Sequence, residues 1–165
     1  MKKVKISVRR TKEGTIFEII SMVLVVIMWG IIAKMWNRLP NRLPSHFDMV
    51  GNVDEWSDKN TLILLGVIAT ITTISLLVSA YFPRKTVHIH ERIQNLRQMA
   101  LAVRMVRICA IATGLLFLGI IFLIIRTALQ GTVNGGMWFI MGPTVTLFAV
   151  IIYYSIKIFM VRDRH

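Results

Sequence analysis

Apolar residues in this chain run together in four unbroken blocks rather than alternating with polar ones. Thr61 to Phe82 is 22 residues without a charge, Ile108 to Ile125 is 18 residues between Arg107 and Arg126, and Met137 to Ile156 is 20. The first block, Thr15 to Trp36, holds Glu18 and Lys34, each close enough to an end for its side chain to snorkel to an interface. A helix rises about 1.5 Å per residue, so a hydrocarbon core about 30 Å thick takes roughly 20 residues. The pattern predicts an all-α, integral membrane fold of four transmembrane helices. Lysines and arginines precede the first block as in a signal peptide. Its apolar stretch is long for an h-region, however, and Ala33-Lys34-Met35 offers no small-x-small cleavage site, so it reads as a retained anchor.

Composition narrows the class further. Of 165 residues, 55% are apolar and 17% charged, against about 45–50% and about 25% in soluble domains. An ordinary soluble enzyme, a disordered tail and a disulfide scaffold are excluded. The single cysteine, Cys109, lies inside a block, so neither an intrachain disulfide nor a cysteine-based zinc site can form.

Charge sets an orientation. The net charge of +12 would point to nucleic acid in a soluble protein. Here the cations gather at block ends, as the positive-inside rule requires, and no nucleic-acid partner is expected. Six Lys and Arg precede Thr15, and three lie in the first loop beside Asp48, Asp54, Glu55 and Asp58. Six more lie between Arg84 and Arg107, one (Arg126) in the third loop, and three at the C-terminal end. Both termini are therefore expected in the cytoplasm and the first loop outside, in a bacterial cytoplasmic membrane. The divisions are a basic cytoplasmic arm (1–14) and a two-span hairpin (15–82) with an outer motif loop (37–60). A basic cytoplasmic segment (83–107), a second two-span hairpin (108–156) and a cytoplasmic tail (157–165) follow.

Within the spans, Ser75 and Ser79 share a helix face, as do Ala110 and Gly114, and both pairs read as small-residue packing faces. Thr70, Thr72 and Thr73 can bond to their own helix. Gly142-Pro143 removes the donor to the Phe139 carbonyl and is expected to kink the fourth span. No ionisable residue lies near the middle of any span, which argues against a self-sufficient proton or ion transporter.

The first loop carries the only motif. Pro40 and Pro44 end the first helix and stiffen the chain after it, Gly51-Asn52 is a turn signal, and Ser57, Asp58 or Asn60 can cap the second span. The loop is thus expected to be ordered. Leu39-Pro40, then Pro44-x-His46-Phe47, then Gly51-x-x-Asp54-x-Trp56-x-x-Lys59 resembles the bacterial membrane domain known as domain of unknown function 1648, over about Ile27 to Val78. That domain forms the N-terminal part of the immunity protein against the sporulation-delaying toxin of spore formers. The resemblance implies an immunity or envelope-sensing role and no catalytic residues. No counterpart of that protein's second domain is found after Pro83.

Two readings of the loop follow. In the first, His46, Phe47, Asp54, Trp56 and Lys59 recognise an extracytoplasmic peptide or a membrane protein partner, while Leu39, Pro40, Pro44 and Gly51 shape the loop. In the second, His46 and Asp54 are hydrogen-bonded struts and the protein is a structural accessory subunit of a larger complex. His46, Asp48, Asp54 and Asp58 supply metal-type side chains, but nothing brings three or four together, so neither metal nor cofactor is expected. Acid–base catalysis by His46 and Asp54 lacks any supporting motif, and the chain is expected to be non-enzymatic. Arg97, Arg104 and Arg107 read as contacts to anionic lipid or to a cytoplasmic regulator. His88 and His90 would project to opposite sides of a helix and make no metal pair. Membrane lipids are the expected surroundings, and self-association is compatible with so small a bundle.

Overall fold

The computed structural model describes residues 11–48, 52–81, 96–131 and 137–162. Helix α1 is Lys12–Met35, followed by a 3-10 turn at Trp36–Arg38, strands β1 (Arg42–Phe47) and β2 (Val53–Asp58), and helix α2 (Asn60–Ser79). Helix α3 is Leu96–Gln130 and helix α4 is Trp138–Arg162. All four helices are long and apolar enough to cross a membrane. Most of the basic arm (1–10), Gly51, the stretch 82–95 with His88 and His90, and the last three residues lie outside the described residues.

Local chemistry sets the ends. The Thr11 hydroxyl accepts from the Gly14 N–H at 3.0 Å, capping α1, and Glu13 in the first turn and Lys34 in the last complement the helix dipole. At the start of α2, the Asp58 carboxylate accepts from the Asn60 N–H at 2.8 Å.

The all-α expectation needs correction at the first loop, which is a two-stranded antiparallel ribbon. Arg42 pairs with Asp58, Leu43 with Ser57 and Pro44 with Trp56; the register then shifts, and His46 faces Glu55 and Phe47 faces Val53. Ser45 on one strand and Asp54 on the other are the extra residues of two opposed bulges, and Pro44, which has no N–H to give the ladder, adjoins the first. The turn is closed by Asp48, whose carboxylate accepts from the Asn52 backbone N–H (2.8 Å) and side-chain amide (3.0 Å).

Helix α3 is the hub, packing on α1, α2, α4 and β1. It begins well before the Ile108 expected from apolar content. Met99, Ala102 and Val103 are buried at three- and four-residue spacing, so the helix continues through a stretch that also carries Arg97, Arg104 and Arg107. The segment 96–107 is therefore part of a span-bearing helix. The core joins Met28 and Ile32 of α1, Leu39, Leu43 of β1, Leu62 and Ala69 of α2, and Ile121, Ile124 and Ile125 of α3.

The packing faces also differ in part from expectation. Ser75 is exposed, and Ser79 donates to its own helix at the Leu76 carbonyl. The buried face of α2 is instead Leu62, Gly66, Ala69, Thr73 and Leu77. Gly66 makes room there for Trp29 and Ile32 of α1: a methyl on Gly66 would stand 3.2 Å and 3.1 Å from them. Trp29 Nε1 donates to the Thr70 hydroxyl (2.9 Å), which donates to the Gly66 carbonyl (2.8 Å), tying α1 to α2. Ala110 and Gly114 are buried, Gly114 against Leu24 of α1. On α4, Gly142 faces open space, whereas the Phe139 carbonyl, deprived of its usual donor by Pro143, lies against Gly119 of α3.

Candidate functional site

The ribbon packs some of its side chains on the helices and displays others, the division running even between the cross-strand partners Pro44, which is buried, and Trp56, which is half open. Leu39, Leu43 and Pro44 are buried, and Phe47 packs on the core, so these residues bind the loop to the helices. Lys59 Nζ stands 4.4 Å from the Trp36 ring centre and 3.5 Å from the Leu39 carbonyl oxygen, stitching the two ends of the loop together. Lys59 is thus an internal tie rather than a displayed cation. Pro40 is exposed where the chain leaves α1.

Among the displayed side chains are His46, Asp54 and Trp56. His46 Nδ1 and Asp54 Oδ1 are 2.6 Å apart, with side chains 64% and 51% exposed. The bulge at Asp54 creates this pair, because it swings the carboxylate across to the opposite strand. At such exposure the pair adds little to stability, yet it sets one imidazole and one carboxylate in fixed geometry at the surface. Trp56 keeps half its surface open to solvent. Among the described residues, no three His, Cys, Asp or Glu side chains are grouped as a metal ion would need.

A second polar cluster lies at the far end of the helices. Arg107 Nη2 meets Glu18 Oε1 at 2.9 Å, and the Tyr81 hydroxyl donates to the same oxygen at 2.6 Å. The Arg107 guanidinium also lies over the Tyr81 ring, 5.4 Å from its centre. Arg107 is 4% exposed, which corrects the expectation that it contacts lipid or a regulator. A guanidinium shut in this way is held by a carboxylate, and Glu18 turns inward to supply it instead of reaching to an interface. Gly14 makes the room, since a methyl there would run into the guanidinium. Arg104 pairs with Glu13 at 2.6 Å on the surface, and Arg97 is exposed. The sequence marks Glu18 and Tyr81 only as residues near span ends that suit an interface, and gives Gly14 no role. The one available signal was the presence of a carboxylate in an otherwise apolar block.

Four apolar helices joined by a ribbon and a buried ion pair are the make-up of a multi-pass membrane protein. Residues 23–70 match the family model of a domain of unknown function (DUF1648). The match takes in the second half of α1, the whole ribbon and the first half of α2. Neither a curated protein nor a solved structure matches the chain.

Proposed function

We propose that this is a non-enzymatic, multi-pass protein of a bacterial cytoplasmic membrane whose ribbon is an external recognition element for a peptide or membrane partner, in an immunity or envelope-sensing role. Lys and Arg content supports the orientation, with both termini in the cytoplasm and the acidic loop outside. One observation carries the recognition reading. The ribbon is anchored by Leu43 and Pro44 and stitched by Lys59, while Trp56, His46 and Asp54 are held outward. An exposed tryptophan on a rigid support is the type of side chain that dominates protein–protein contacts.

A second reading, in which the ribbon is a brace within an accessory subunit, is favoured by the continuity of Leu39 and Leu43 with the helix core. Crosslinking and pull-down from native membranes separates the two. The comparison is between the wild type and a His46→Ala, Asp54→Ala, Trp56→Ala variant of equal abundance. A partner captured by the wild type and lost by the variant is the expected result; identical partners would make the ribbon a brace.

A further inference from the structure

We propose that the open edge of β2 accepts an extended, cationic segment of a partner as a third strand, with one aliphatic side chain of that segment seated in a cavity beneath the ribbon. The inference rests on the recognition reading above and specifies its partner. Among the described residues the sheet has two strands, β1 packs on α3, and β2 has β1 as its sole ladder neighbour. The other edge of β2 therefore presents backbone N–H and C=O groups to whatever extended chain can approach it.

Charge decides what can approach. Asp54, Glu55 and Asp58 are exposed along β2, and among the described residues neither Glu55 nor Asp58 has a cation at ion-pair distance. The carboxylates of β2 outnumber the nearest cation, Arg42 across the ladder from Asp58, and an acidic edge of this kind disfavours a second copy of itself, as charged edges of exposed strands do, and anionic headgroups. A strand bearing lysine or arginine meets the opposite balance.

Geometry adds a side-chain requirement. Leu43 and Ser57 are cross-strand partners and so share one sheet face, and Leu43 is 2% exposed against the helices. On that face lies a cavity of about 150 Å³, rimmed by Ser45, Ser57 and Thr61 and floored by Leu65, Ile120 and Ile124. In a strand added beside β2, the residue opposite Ser57 points to this same face, and the space suits one aliphatic side chain. Its two neighbours in sequence lie beside Trp56 and Asp58, where one cation gains a ring face and the other a carboxylate. The pattern read by the edge is cation, aliphatic, cation.

The test uses the full chain in phosphatidylcholine nanodiscs and the synthetic peptide acetyl-Lys-Val-Lys-Leu-Lys-Val-Lys-amide. Saturable binding should slow amide hydrogen exchange across residues 53–58. N-methylation of alternate peptide nitrogens, which keeps every side chain but removes donors, should weaken binding at least about tenfold. Replacing the central leucine by alanine should weaken it by roughly tenfold or more. Both changes are made in the peptide, so the fold of the protein is not at risk. Absence of binding, equal binding of the N-methylated peptide, or unchanged exchange over 53–58 overturns strand addition. If native-membrane capture still depends on His46, Asp54 and Trp56, strand addition fails alone; if capture is also insensitive, the recognition reading falls with it.

Discussion

Arg107 is a charge that the bundle encloses, and its stability rests on one carboxylate. Glu18 and Tyr81 converge on it from two other segments, so α1, the end of α2 and α3 are held at a single point. Removing one partner strands the other in a low-dielectric interior, whereas removing both removes the problem. Arg107→Met is therefore expected to destabilise by about 3–5 kcal/mol, and Glu18→Gln by an amount of the same sign. The double variant Glu18→Leu, Arg107→Met should recover most of the loss. Thermal unfolding in detergent, followed by size-exclusion of the surviving monodisperse protein, measures all four states. A double variant as unstable as the sum of the singles would show that the two residues do not act as a pair. Trp29→Phe removes the donor to Thr70 and should cost about 0.6 kcal/mol, the usual size of an interhelical hydrogen bond within a membrane.

Between elements, two glycines that look alike in sequence are expected to behave oppositely. Gly119 of α3 touches the Phe139 carbonyl of α4, so Gly119→Ala must push the helices apart, at a cost of about 1–3 kcal/mol. Gly142 faces open space within α4, so Gly142→Ala gains helix propensity without meeting another helix, but its methyl also meets the ring of Pro143, and the net stabilisation is expected to stay below about 0.5 kcal/mol. Unfolding in mixed SDS micelles checks both signs. The same contrast shows what could be read in the sequence. Four helices were legible because freedom from charge over 18–22 residues is a bulk property that needs no partner. The start of α3 was not, because Arg97 and Arg104 break the apolar count without breaking the helix, arginine being a good helix former. Order in the first loop was legible from Pro40 and Pro44, but its strands were not, since the bulges at Ser45 and Asp54 destroy the period-two alternation that marks a strand. Of the residues proposed for recognition, His46, Asp54 and Trp56 stand outward while Lys59 ties Trp36 to Leu39; only the fold could separate displayed residues from ties. The Glu18–Arg107 pair joins residues 89 apart, and no local pattern announces it.

For the molecule as a whole, α3 acts as a ruler. Ile124, near one end, packs in the same core as Leu43 of the ribbon, while Arg97, near the other end, is exposed. At about 1.5 Å per residue, 27 residues separate the two by about 40 Å, more than the roughly 30 Å of a hydrocarbon core. If α3 crosses a bilayer, the ribbon and Arg97 must lie on opposite sides of it. Because Cys109 is buried, single cysteines can be introduced into the otherwise unchanged chain. In intact cells, Ser45→Cys on the exposed part of β1 should react with a membrane-impermeant maleimide, and Arg97→Cys should react only after permeabilisation. The reverse pattern would invert the orientation while keeping the crossing, and would place the acidic strand edge in the cytoplasm. Reaction of both cysteines in intact cells would mean that α3 does not cross, and the four-span arrangement would have to be abandoned.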